Sequence, residues 1–178
     1  MSNLLIFIIV GIAIMLIGNL LRWFFGGRSD WQHFPYDLVY VIDGDTVTIG
    51  HGRDKTRVRL AGFDCPELSQ PGGRKAKQHL VKMLRHDGIW LRTTDVDAYG
   101  RLVAYGAIKG EGIARKMIRD GYAHADDQSR LWRFLVTLGP RLKGKGIWQG
   151  TFLGLGVVHP TDFRRRQNQL RRARGGGF

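Results

Sequence analysis

Three short segments gather the residues able to do chemistry. "VIDGDTV" (Val41–Val47) carries Asp43 and Asp45, "RLAGFDCPE" (Arg59–Glu67) carries Arg59, Asp64, Cys65 and Glu67, and "DAYGRLVAY" (Asp97–Tyr105) carries Asp97, Tyr99 and Arg101. Asp45 and Asp64 are hard oxygen donors, suited to Ca²⁺ or Mg²⁺ rather than to zinc. Glu67 can take a proton from an attacking water. Arg59 and Arg101 can each grip a phosphate through two parallel N–H donors. A hard cation, two arginines and one carboxylate base together suit phosphodiester hydrolysis: water attacks in line, and the charge growing on the phosphoryl oxygens is neutralised. Taken singly, each residue has a plainer reading. Asp-Gly-Asp is a common turn, and an arginine on a strand usually faces solvent. Cys65 is the only cysteine, which excludes an intramolecular disulfide and a Cys-x-x-Cys zinc site. As a nucleophile it would need a base close by, and the sequence offers none.

The elements that must hold these residues are legible from periodicity. "LVYVID" (Leu38–Asp43) and "TVTIG" (Thr46–Gly50) are β-rich runs around the Asp-Gly-Asp turn. "TRVRLAGF" alternates Val58 and Leu60 with Arg57 and Arg59, the period of a half-buried strand. "GIWLRTTDVD" (Gly88–Asp97) and "RLVAYGAI" (Arg101–Ile108) add two more, joined by "AYG". Between the third and fourth strands, Ala76, Leu80, Met83 and Leu84 recur at helical spacing in Gly73–His86, with a basic outer face. "GIARKMIRDGYA" predicts a second helix with Ile113, Met117 and Ile118 inward and Gly121 as its stop. In the third, Leu131, Phe134, Leu135 and Leu138 suit a buried face, and Gly139-Pro140 should break or kink it. Trp90, Trp132 and Trp148 are expected in the core. The order predicts a mixed α+β fold: a five-stranded OB-fold β-barrel with about three helices.

The ends differ in kind. Leu4–Leu21 holds no charged side chain, and at 1.5 Å per residue such a helix covers most of a hydrocarbon layer of about 30 Å. Trp23, Phe24 and Phe25 suit an interfacial belt, and "MSN" lacks the basic start of a signal peptide. The expectation is an N-terminal transmembrane helix in a single-pass membrane protein. Arg22 and Arg28 weakly favour a cytoplasmic domain, with export as the alternative. The segments are then an anchor or signal-like segment (1–25), a linker (26–36), a globular domain (37–150) and a basic tail (151–178). Lys and Arg number 28 against 15 Asp and Glu, a net charge of +13 that favours polyanionic partners. Six arginines fall within the last fifteen residues. That tail reads as a solvated, disordered basic segment, or as a clamp for the phosphates of nucleic acid or anionic lipid.

"VIDGDTV", "RLAGFDCPE" and "DAYGRLVAY" resemble the three signature segments of the staphylococcal nuclease (thermonuclease) family, in the family's order and with a helix between the second and third. "IARKMIRDGYAH" and the "GIW" at Gly146–Trp148 are similar to its later segments, so the resemblance covers roughly Asp37 to Trp148. It implies a Ca²⁺-dependent nuclease acting on DNA or RNA. Asp45 and Asp64 match the calcium-binding aspartates, and Cys65 the position whose backbone carbonyl also binds the ion. Asp43 lies near the metal without binding it directly. Glu67 matches the general base, Arg59 the arginine on the scissile phosphate, and Arg101 the second transition-state arginine. There are departures. "LSQPGGRKAK" is short, Ala98 replaces a substrate-contacting lysine, and "AHADDQS" has none of the pocket tyrosines. Tyr99 and His124 remain as candidate substrate contacts. The chain is expected to be a monomer. The rival reading is a membrane-tethered OB-fold module that binds nucleic acid by charge without cutting it.

Overall fold

The computed structural model describes residues 30–126, 130–150 and 156–175. The expected anchor, residues 1–25, lies outside them. Among the described residues no helix is long and apolar enough to cross a membrane. The chain divides into two units, Met1–Gln32 and His33–Phe178, and the second contains the fold described below.

Strands β2 (Val39–Val41) and β3 (Thr46–Ile49) form a hairpin, with Val41 opposite Val47. Val39, Val41, Val47 and Ile49 are buried while Tyr40 is exposed, as the period-two pattern requires. Its turn is closed by the Asp43 carboxylate, which accepts the Asp45 N–H at 3.0 Å. Gly44 is needed there, because a Cβ would stand 2.6 Å from the Cβ of Cys65. Strand β4 (Thr56–Leu60) pairs antiparallel with β3, and Thr46 faces Arg59. The two-residue β5 (Phe63–Asp64) then leaves the main sheet and pairs with β9 (His124–Ala125), setting Asp64 opposite His124.

Helix α1 (Gly73–Leu84) buries Ala76, Leu80 and Leu84, one stripe at helical spacing. Its polar face carries Lys75, Lys77 and Lys82. Strands β6 (Ile89–Val96) and β7 (Leu102–Ile108) form a long antiparallel hairpin with a register shift between Thr93 and Asp95. Strand β7 also lies parallel to β4, with Arg59 opposite Val103. A short β8 (Glu111–Gly112) returns on β7 and leads into α2 (Ile113–Arg119), which buries Ile113 and Met117. Helices α3 (Arg130–Leu142) and α4 (Pro160–Gly175) follow, separated by a 3₁₀ turn, Gly146–Trp148. The sheet order is β1-β6-β7-β4-β3-β2, where β1 is Gln32–Phe34 and β8 is an extra strand on β7.

The architecture is mixed α+β, a curled sheet with four helices among the described residues, consistent with an OB-like fold. The five expected strands all form. The sheet has seven strands rather than five, because the short β1 and β8 extend it. The basic segment expected as a solvated tail contains α4. Pro140 does not end α3, which runs two residues further. The inward face of that helix also differs from expectation: Phe134 and Leu135 are exposed, and Thr137 is buried. Of the three tryptophans, Trp148 is fully buried, whereas Trp90 is 44% and Trp132 55% exposed.

Candidate active site

Asp43, Asp45, Arg59, Cys65, Glu67, Tyr99 and Arg101 all line one open cleft of about 960 Å³, together with Lys55, Arg57 and Arg164. Each comes from a different kind of support. Asp45 sits at the end of the β2–β3 turn, and the Leu60 N–H of β4 donates to its main-chain carbonyl at 2.8 Å. Its carboxylate accepts the Cys65 N–H at 2.9 Å and the Thr46 hydroxyl at 3.1 Å. Asp45 and Asp64 are both buried, at 5% and 3% exposure. Arg59 bridges them: one guanidinium nitrogen pairs with Asp45, and the other donates to Asp64 Oδ1 at 3.0 Å. That second nitrogen also donates to the Phe63 carbonyl at 3.3 Å.

The electrostatics follow from this crowding. Burial, with the nearby Asp43 charge, pushes the Asp45 carboxyl up to about 6 against the pull of Arg59. Burial would raise Asp64 too, but hydrogen bonds from Arg164 and the charge of Arg59 hold it below the ordinary carboxylate range. Burial acts against the Arg59 charge as well, and Asp45 and Asp64 more than offset it, so the guanidinium stays protonated. The Cys65 thiol is buried at 3% exposure, and burial pushes its pKa well up. Its Sγ donates to the Tyr122 carbonyl at 3.5 Å. A buried thiol of raised pKa with a carbonyl for a partner is no nucleophile.

Glu67 lies where the chain turns from β5 toward α1. Its N–H donates to Gln70 Oε1 at 3.1 Å, and the Gln70 N–H returns to the Glu67 carbonyl at 2.8 Å. Gly73 packs directly on that carbonyl, where any Cβ would overlap it. Arg101 stands on the β6–β7 turn, its Nε donating to Asp97 at 2.7 Å. Asp97 also accepts the N–H groups of Tyr99 and Arg101, at 2.9 and 3.0 Å. The Arg101 guanidinium lies 5.5 Å from the centre of the Tyr99 ring, which is otherwise exposed.

His124 is not in the cleft. It is 5% exposed on β9, with its ring edge-on to Trp148 at 4.9 Å and near His159 at 4.6 Å. Its Nε2 is buried with no hydrogen-bond partner among the described residues. Burial, reinforced by His159 and Arg141, drives its pKa down to about 3. Its burial away from the cleft does not fit the substrate contact expected of it. The sequence reading missed Arg164. From α4 its Nη1 donates to Glu67 at 2.8 Å and its Nη2 to Asp64 Oδ2 at 3.0 Å. Nothing local in "FRRRQ" separates Arg164 from its neighbours; only the docking of the segment does.

Among the described residues no three His, Cys, Asp or Glu side chains converge tightly enough to enclose a metal ion. The donors still fit a hard cation in chemistry: two buried carboxylates, a third at Asp43, and an open cleft from which water can supply the remaining ligands.

Residues 57–134 match the family described as staphylococcal nuclease homologue. The chain is 33% identical over 104 residues to a protein named micrococcal nuclease from Shigella flexneri, an overlap of 53% of this chain and 60% of that one. It is 29% identical over 131 residues to a protein named uncharacterized endonuclease from Haemophilus influenzae, covering 73% and 72% of the two chains. It is also 29% identical over 107 residues to the thermonuclease of Staphylococcus hyicus, covering 56% and 63%. Residues 57–134 are thus similar to the staphylococcal nuclease family, and the chain spans about three fifths of the first and third of these relatives.

Proposed function

We propose that the protein is a calcium-dependent nuclease that hydrolyses phosphodiester bonds of DNA or RNA. The observation that carries this reading is that Asp45, Arg59, Glu67 and Arg101, from three separate segments, line one cleft, with the buried Asp64 paired to Arg59. The likeness to nuclease-named proteins supports it. Asp45 and Asp64, with the Cys65 carbonyl, would hold the calcium ion, whose charge polarises the phosphoryl group. Arg59 and Arg101 bind the phosphate oxygens and take up the charge that builds on them. Glu67 accepts the proton of the attacking water. Lys55 and Arg57 hold neighbouring phosphates of the strand. Asp43 fixes the turn that presents Asp45.

The test is cleavage of single-stranded DNA and RNA by the full-length chain, with Ca²⁺ or with EDTA. Activity is expected with Ca²⁺ and lost with chelator; chelator-insensitive cleavage would overturn the metal assignment. Arg59→Ala, Glu67→Ala and Arg101→Ala are each expected to lower kcat by roughly a hundredfold or more, with smaller effects on nucleotide binding. Salt-sensitive binding with no cleavage would favour the tethered binding module instead. In the same reading Leu4–Leu21 anchors a monomer to a membrane, which a reporter fused to the C-terminus would test by its side of the membrane.

A further inference from the structure

Helix α4 lies outside the segment matched by the family, residues 57–134, yet its first turn is built into the cleft. The attachment is specific. Gln70 is buried, its Oε1 accepting the Glu67 N–H at 3.1 Å and its Nε2 donating to the Val158 carbonyl at 2.6 Å. One side chain thus ties the Glu67 loop to the chain entering α4. Pro160 is fully buried just beyond it. Thr161 donates its hydroxyl to Asp64 Oδ2 at 3.5 Å. One turn on, Arg164 projects into the cleft and spans Asp64 and Glu67.

We propose that Arg164 is a third phosphate-binding arginine, supplied by α4, which holds the substrate strand beside Glu67. It rests on the nuclease reading of the same cleft. The argument comes from its likeness to Arg59. Without substrate, both guanidiniums rest on the carboxylates of the cleft, Arg59 on Asp45 and Asp64, Arg164 on Asp64 and Glu67. Arg164 is anchored at its root and half-exposed at its tip, with a side-chain exposure of 44% against 19% for Arg59. A long side chain on a fixed helix can turn its fork from a carboxylate to a phosphate without moving the backbone. The substrate class that fits is a polyanionic strand. Beyond Arg164, the exposed Arg171 lies two turns further on the same face of a helix of 16 residues, about 24 Å long.

The experiment uses the full-length chain with a short fluorescent oligonucleotide carrying phosphorothioate linkages, read by anisotropy in Ca²⁺, and cleavage of the ordinary oligonucleotide in parallel. Arg164→Ala is expected to weaken binding and raise KM by about tenfold, the loss of one charge-assisted fork, with a smaller change in kcat. Arg164→Lys should recover only part of that loss, because it restores the charge without the fork. Arg165→Ala, one residue along the same helix, controls for net charge and should change KM much less. Equal losses in Arg164→Ala and Arg165→Ala would overturn the proposal. So would faster turnover in Arg164→Ala, which would make Arg164 a brake on Glu67. A wild-type chain that binds through Arg164 but cleaves nothing leaves this inference standing and removes the nuclease reading. A chain that cleaves, and does so equally well as Arg164→Ala, does the reverse.

Discussion

Cys65 occupies the most suggestive position in the sequence, between Asp64 and Pro66-Glu67, and its role lies in its backbone. The N–H holds the Asp45 carboxylate at 2.9 Å, whereas the sulfur is buried against the Tyr122 carbonyl. Cys65→Ala is therefore expected to keep nuclease activity within about threefold of wild type, with a stability loss of roughly 1 kcal/mol for the small void. A folded but inactive Cys65→Ala protein would reinstate the thiol. Asp45, Arg59, Asp64 and Glu67 were singled out by their residue types and by the resemblance of their segments to a known family, and the fold brings Asp45, Arg59 and Glu67 to one cleft. The place of His124 was not legible: its burial is set by Trp148 and His159, both far away in sequence. Arg164 was illegible for a related reason, since its partners Asp64 and Glu67 lie 100 and 97 residues earlier.

At the scale of elements, the loop from β5 into α1 is the most constrained part of the site. Gly73 opens the helix against the Glu67 carbonyl, and a Cβ there must push that carbonyl aside. Gly73→Ala is expected to cut kcat at least tenfold by displacing Glu67. Far-ultraviolet circular dichroism should remain close to wild type. Leu80→Ala, by contrast, empties a fully buried site on α1 and should cost about 2–5 kcal/mol in chemical denaturation. Alternation exposed β4 and helical spacing exposed α1, whereas β2, β3, β6 and β7 were legible as β-rich runs bounded by turns. The two-residue β5 and β9 carry no periodic signal and form only by pairing with each other, while β8 is the short return on β7 across the Lys109-Gly110 turn. The inward face of α3 was misjudged because its apolar residues outnumber the positions that the neighbouring elements cover, leaving Phe134 and Leu135 outside.

Across the whole molecule, the buried histidine couples stability to pH. His124 is lowered from the usual 6.5 to about 3 by burial first and by His159 and Arg141 next. Between those values the unfolded chain binds a proton that the folded chain does not, so stability falls as pH drops through this window. His159 is shifted the same way, also by burial. His124 and His159 should pull the thermal midpoint down from pH 7 to pH 5 against the raised Asp45, which adds stability as pH falls over the same range, and His124→Gln should remove its share of that pull even if it lowers the midpoint throughout. An unchanged slope would exclude His124 as the responsible group. The parallel pairing of β4 with β7 has a kinetic consequence. Val58 and Leu102 must find each other across the intervening hairpin partner and helix before Arg59 and Arg101 share a cleft. Parallel, non-local pairing forms late because loop closure must precede it. During refolding the helical signal should therefore return before enzymatic activity, and the lag between them would clock the moment at which the two halves of the sheet join.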